Sequence, residues 1–143
     1  MKHAPTSRAR LRRFRIEDAA DICGIYPMFF VDNAIDIKGG RLTVAEADGR
    51  VVGLVLWSPA MEPAWFDPGV RRWAELEELH VHPEFQNRGI GARLVLAAIW
   101  QARAAGFSAM YLETEASNIP ARKAYERAGF RVHSELVRYK VRL

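Results

Sequence analysis

The chain has a single cysteine, Cys23, among 143 residues. An internal disulfide is therefore excluded, and so is a zinc site built from paired cysteines. No apolar run approaches the roughly 18 residues that a membrane-spanning helix needs. The N-terminal stretch MKHAPTSRARLRRFR is basic, but no apolar signal core follows it, which points to the cytoplasm. Internal repeats and low-complexity segments are lacking. Histidines are few: His80 and His82 lie two apart with no third ligand in view, and His133 reads as structural, so no metal is expected. Half of the residues are hydrophobic and 27% are charged, enough to build the core of one domain over residues 1–143.

The charge balance leans basic, with 21 Lys and Arg against 17 Asp and Glu, a net +4. Such a surplus suits nucleic acid or a poly-anionic cofactor. The one dense cluster is RARLRRFR at residues 8–15. No nucleic-acid reading module accompanies it, so the cluster reads as a solvated strand, and neither a nucleic-acid nor a membrane partner is expected.

Hydrophobic periodicity orders the elements. Residues 10–16 read as a strand. IEDAADICGIY follows as a helix, with Glu17 and Asp18 suited to its start and Cys23 in its apolar pattern, hence buried. Pro27 should end that helix, and residues 28–37 form a second helical piece or a loop. Residues 41–47 and 50–57 read as a hairpin across Asp48-Gly49, a pair that tolerates positive φ. Residues 58–72 carry three prolines and a glycine and read as a long loop. Trp57, Trp65, Phe66 and Trp73 crowd it, as core packing or as a lip for an apolar part of a substrate. A strand over WAELEELHVH comes next, then a helix over residues 89–105 with Ile90, Leu94, Ala97, Ala98 and Gln101 on one side. A strand over SAMYLETE, a short helix over SNIPARKAYERAGF and one or two strands over residues 131–143 complete the order. The fold class is α+β or α/β, a mixed sheet with helices packed on it.

The segment HPEFQNRGIGARLV places Gly89 and Gly91 between a strand and a helix. A helix start offers unpaired N–H groups and the positive end of the helix dipole, and glycines let anionic oxygens approach the backbone. Arg88 and Arg93 can add charge-assisted contacts. No Gly-Lys-Ser/Thr follows, so this is not a Walker A loop. Strict alternation would put Glu75 and Glu77 on one strand face and Glu78 on the other. Carboxylates in a strand covered on both faces are costly unless they border a cleft. By spacing, Tyr125 shares a helical stripe with Ala121, Ala124 and Ala128 and is a core aromatic, while Asn118 is a helix cap.

LEELHVHPEFQNRGIGARLV together with YLETEASNIPARKAYERAGF resembles the GNAT superfamily of acyl-CoA-dependent N-acyltransferases, over residues 76–130. Within it, the LETEASN stretch is most similar to the bacterial ribosomal-protein N-terminal alanine acetyltransferases. The resemblance implies a mixed, mainly antiparallel sheet with helices on both faces, in which the strands of His80 and Glu113 run parallel and diverge. It implies acetyl-CoA as co-substrate, with no metal. The backbone of Leu79, His80 and Val81 would pair with the pantetheine arm. The amides of Asn87, Arg88, Gly89, Ile90, Gly91 and Ala92 would hold the pyrophosphate, and Asn118 would bond the arm. Tyr125 matches the family's general acid, and Glu113 and Glu77 match two of its general-base positions, with water as a third option.

The chemistry agrees with those roles. An alkyl ammonium, with a pKa near 10.4, cannot attack a thioester until a proton is removed. The leaving thiolate, near 8.5 by analogy with cysteine, needs a proton in return. The implied function is acetyl transfer to a primary amine, a small molecule or a peptide N-terminus, by direct attack in a ternary complex. A CoA-binding module without catalysis and a basic RNA- or ribosome-associated protein are the alternatives. The oligomeric state stays open between a monomer and a homodimer in which RYKVRL pairs across the interface.

Overall fold

A computed structural model describes residues 8–33, 40–60 and 67–143. Its elements are β1 (Arg10–Arg13), α1 (Ala19–Ile25), α2 (Phe29–Asp32), β2 (Leu42–Ala47), β3 (Arg50–Ala60), β4 (Trp73–Val81), α3 (Ile90–Ala104), β5 (Ala109–Tyr111) and α4 (Ile119–Arg127). Short 3-10 turns precede α1, at Ile16–Asp18, and follow β4, at Pro83–Phe85. The five strands form one sheet in the order β1-β2-β3-β4-β5. All neighbours are antiparallel except β4 and β5, which run parallel.

The β2–β3 hairpin forms because Asp48 and Gly49 both adopt positive φ, 53° and 76°. That turn matches the twist of the strands it joins. Strand β3 is buried from Val51 to Trp57, as expected of a strand covered on both faces. One cover is α1 with α2, over Ile22, Phe29, Val44, Leu54 and Leu56. The other is α3 with α4, over Val52, Val55, Leu76, Leu94, Val95 and Ala98. Gly53 lets α3 lie close to the sheet, since a Cβ there would stand 3.1 Å from both the His80 carbonyl oxygen and Leu94 Cδ1. Gln101, on the apolar side of α3, accepts a hydrogen bond from Trp57 Nε1 at 2.9 Å and donates to Thr43 Oγ1 at 2.7 Å, which satisfies a polar group inside the core.

Several sequence expectations are corrected. Cys23 is exposed, on the solvent side of α1. The first strand stops at Arg13, where Arg12 turns to Asp18. Strand β3 runs three residues past Trp57, to Ala60, into the segment read as loop. Trp57 and Trp73 are core residues, and Trp65 and Phe66 lie outside the described residues. The strand expected over residues 108–115 is paired only from Ala109 to Tyr111, so Glu113 lies beyond its end. Residues 131–143 form no strand; they are exposed throughout and carry Val137, Tyr139, Val141 and Leu143 in alternation with Arg138, Lys140 and Arg142. Within a single copy of the chain no described strand pairs with them, so the alternating pattern lacks the partner that would make it a strand.

Candidate active site

Strand β5 pairs with β4 only from Trp73 to Glu75. Beyond that point β4 continues to Val81 with no strand on its β5 side, so the edge of residues 76–81 is open among the described residues. Helix α3 begins at the far end of this edge. Its N-cap, Gly89, is left-handed at φ 79°, and no side chain caps the helix. Asn87 is also left-handed, at φ 62°. The loop therefore turns its backbone so that the first amides of α3 face outward without a side-chain acceptor, which is the arrangement that binds anions.

The two glycines have different reasons to be there. A Cβ on Gly89 would meet nothing within 4 Å, so its requirement is the positive φ. A Cβ on Gly91 would stand 3.4 Å from Ala124 Cβ and 3.8 Å from Val81 Cγ2, so Gly91 serves the approach of α4 and β4 to α3. Gln86 and Arg88 are bound to their own loop: Gln86 Nε2 donates to the Val81 carbonyl at 3.0 Å, and Arg88 Nη2 donates to the Glu84 carbonyl at 2.9 Å. The Val81 carbonyl, one of the backbone groups expected to meet the pantetheine arm, is thus already engaged. Asn118 caps α4 through Oδ1, which accepts from the Ala121 amide at 3.4 Å.

Tyr125 sits on α4, half-buried, with its ring edge-on to Phe130 at 6.0 Å between centroids. Its hydroxyl is held above the usual phenol value, first by burial and then by the negative charge of Glu78. At neutral pH it is a protonated donor.

The carboxylates of β4 lie differently from strict alternation. The register with β3 shifts between Leu56 and Trp57, so that Glu78 pairs with Leu56, and Leu76 with Trp57. Glu77 is the extra residue of a β-bulge. The bulge puts Leu76 and Leu79 on the α3 face and leaves Glu75, Glu77 and Glu78 together on the opposite face, where Ser58 and Asn33 meet them. Glu77 is exposed and accepts from Ser58 Oγ at 2.8 Å. Burial raises the pKa of Glu75, and the neighbouring charge of Glu77 adds to this. Glu113 is exposed and adds its charge to the same group.

From the sequence, Glu78 has a strand face but no role, His80 is assigned only through its backbone, and neither Tyr26 nor Asn33 is singled out. Glu78 Oε2 is 2.6 Å from His80 Nε2, and Oε1 accepts from Asn33 Nδ2 at 3.3 Å. The ring of Tyr26 stacks on His80 at 4.7 Å and 11°, and the Tyr26 hydroxyl donates to Asp32. The adjacent pair Glu77-Glu78 was the available signal. Two charges in succession cannot both avoid the core in a regular strand covered on both faces, and a bulge resolves the conflict. No group of three or more metal-ligating side chains occurs among the described residues.

A separate polar cleft of about 360 Å³ lies between β1, α1 and the β2–β3 turn. Three of its charged side chains, Arg12, Asp18 and Asp21, are bound within the fold. Arg12 donates to both carboxylate oxygens of Asp18 at 2.8 Å and to Glu46 at 2.6 Å, and Asp21 accepts from the Val51 amide at 3.0 Å. The solvated cluster read from RARLRRFR is therefore anchored at Arg12.

The site thus joins a strand edge that is open beyond Glu75, an uncapped helix start, and a half-buried phenol that feels the charge of Glu78. Residues 9–130 match the model of the Acetyltransferase (GNAT) family. The chain belongs to that family and is an acyl-CoA-dependent acetyltransferase. It is 26% identical over 144 residues to the uncharacterized N-acetyltransferase YhfO of Bacillus subtilis, an alignment covering 90% of this chain and 94% of that one. It is 35% identical over 91 residues to the mycothiol acetyltransferase of Pseudarthrobacter chlorophenolicus, covering 64% of this chain but only 27% of that longer protein. Among solved structures, the aminoglycoside N-acetyltransferase AAC(6')-Iy in complex with CoA superposes with a TM-score of 0.76 at 20% identity, covering 94% of this chain and all of that one. That likeness is one of fold.

Proposed function

We propose that the chain transfers an acetyl group from acetyl-CoA to a primary amine, by direct attack while both substrates are bound. The observation that carries this reading is the open edge of β4 leading to the uncapped start of α3. Extended backbone on one side and outward amides at its end suit an amide-bearing arm that terminates in a pyrophosphate. Leu79 and the amide of Val81 offer the backbone groups for the arm, since the His80 backbone is turned to β3, the amides of residues 87–92 hold the phosphates, and Asn118 uses the amide end not spent on its cap. Tyr125 returns a proton to the leaving thiolate. The amine arrives on the α1–α2 face of the sheet, where Glu75, Glu77, Glu78 and Glu113 favour it as the ammonium ion.

Proton transfer from a phenol above 10 to a thiolate near 8.5 runs uphill by about 2 kcal/mol at the reference values. Such a step is accessible because it occurs as the C–S bond breaks, where a positioned acid contributes roughly 10²–10⁴-fold. The acceptor is a small-molecule amine or a peptide N-terminus. A homodimer is part of the same reading, supported by the alternating exposed residues of 131–143 and by the open outer edge of β5.

Unfolding with and without acetyl-CoA tests the proposal, together with thiol release from acetyl-CoA on adding amines. Ligand at 100 times its dissociation constant should add about 2.7 kcal/mol. No stabilisation and no thiol release with any amine would end the reading.

A further inference from the structure

We propose that Glu78, hydrogen-bonded to His80, receives the proton of the incoming ammonium group, and that Tyr26, stacked on His80, is the residue that positions it. This rests on the acetyl-transfer reading and names the side chains that would serve it.

Both Glu78 oxygens are oriented, one by His80 at 2.6 Å and one by Asn33 at 3.3 Å. The side chains of Glu78 and His80 are 20% and 29% exposed, so the pair is sheltered but not sealed from solvent. Tyr26 lies flat against the imidazole, and its hydroxyl is tied to Asp32, so the imidazole is held from α1 and α2 as well as from its own strand. The groups facing the pair are Glu77 on β4, Tyr26 after α1, Asp32 and Asn33 at the end of α2, and Tyr125 on α4. Glu77 and Glu113 are exposed, and neither is gripped from two sides in this way.

The steps balance. The ammonium gives one proton to the Glu78–His80 pair. The freed nitrogen lone pair forms the C–N bond at the thioester carbonyl while the C–S bond breaks. Tyr125 gives its proton to the departing thiolate. The new amide nitrogen sheds its surplus proton through the same pair; of the two protons taken from the nitrogen, one returns through solvent to the Tyr125 phenolate and one is released, so the products are the amide, the CoA thiol and one proton. The arrangement also couples base to acid. The charge of Glu78 is one cause of the raised Tyr125 hydroxyl. When Glu78 accepts a proton that charge is cancelled, and Tyr125 becomes a readier donor at the stage that needs one.

The test uses the full chain and acetyl-CoA. Thiol release is followed with two acceptors, a short peptide with a free N-terminal alanine and 1,4-diaminobutane, over about pH 5.5 to 9.5. Glu78→Gln should lower kcat by roughly 100-fold and remove the acidic limb of the profile, with stabilisation by acetyl-CoA retained. Glu77→Gln and Glu113→Gln should keep that limb. Tyr26→Ala should lower kcat and displace the limb without raising KM for acetyl-CoA, and Tyr26→Phe, which keeps the stack, should restore most of the loss. A second readout needs no turnover. In long-range ¹H–¹⁵N spectra His80 should carry its proton on Nε2 in the wild type and lose that fixed tautomer in Glu78→Gln. A wild type that turns over while Glu78→Gln keeps both rate and acidic limb overturns this assignment alone, and so does a His80 ring that samples both tautomers in the wild type. A wild type that neither releases thiol nor gains stability from acetyl-CoA overturns the acetyl-transfer reading beneath it.

Discussion

Replacing each loop glycine by alanine separates backbone strain from packing at the cofactor loop. At Gly89, φ is 79° and a new Cβ would touch nothing within 4 Å. The stability cost is then the left-handed penalty alone, about 1–2 kcal/mol for an L-residue. At roughly 2–4 °C per kcal/mol for a chain of this size, that is a fall of about 2–8 °C in Tm. The alternative is that the loop relaxes to negative φ, which re-aims the first amides of α3. In either case the affinity for acetyl-CoA should fall roughly tenfold or more, about 1.4 kcal/mol. At Gly91 the new Cβ would meet Ala124 Cβ at 3.4 Å, a contact that a small shift of α4 absorbs. Alanine also favours the helix there by up to about 1 kcal/mol. Gly91→Ala should therefore lie within about 1 kcal/mol of the wild type. Urea unfolding with and without acetyl-CoA measures both quantities. A Gly89→Ala protein as stable and as tightly binding as the wild type would refute the reasoning, as would Gly91→Ala proving the more damaging.

Tyr125→Phe should lower kcat by about 10- to 10³-fold with little change in acetyl-CoA affinity. Because burial and Glu78 raise the Tyr125 hydroxyl above 10.0, the basic limb that it governs should lie above pH 10.0, and unchanged turnover in the variant would remove Tyr125 from the mechanism. Asp18, whose carboxyl is held below its ordinary value of 3.8 chiefly by the Arg12 hydrogen bond, stabilises the fold above pH 3.8, and this contribution fades as pH falls through the lowered native value. Asp18→Asn should cost about 1–3 kcal/mol at neutral pH, since Arg12 keeps its bond to Glu46 but loses its charged partner on Asp18, and should flatten the acid side of the stability curve; equal urea midpoints at pH 7.0 and 3.0 in the wild type would contradict this. The homodimer reading predicts that light scattering finds a dimer which Val141→Asp converts to a monomer with acetyl-CoA affinity kept, and a wild type that is monomeric at tens of micromolar would refute it.

Local chemistry made much of this fold legible. Asp48-Gly49 announced the hairpin because positive φ at two successive residues suits few others, and Pro27 and Gly129 marked helix ends for equally local reasons. Gly89 at a strand-to-helix junction located the uncapped start of α3, for which the cofactor role is proposed. The bulge at Glu77 was not legible, because it depends on register with β3, a relation between distant residues. That one-residue slip moved Glu78 to the face of Glu77 and hid the Glu78–His80–Tyr26 cluster from any argument by alternation. Cys23 was misplaced because α1 is only seven residues long and buries a narrow stripe, of which Ile22 is the buried member. The alternation in residues 137–143 is a true strand pattern, yet pattern alone cannot supply the neighbouring strand.

The most direct test of the central claim is amide hydrogen exchange of the full chain with and without saturating acetyl-CoA. The account predicts slowed exchange at Leu79 and Val81 and at the amides of residues 87–92, with little change around Arg12 and Asp18. Unchanged exchange along β4 and at the start of α3, or protection confined to the Arg12–Asp18 cleft, would contradict it.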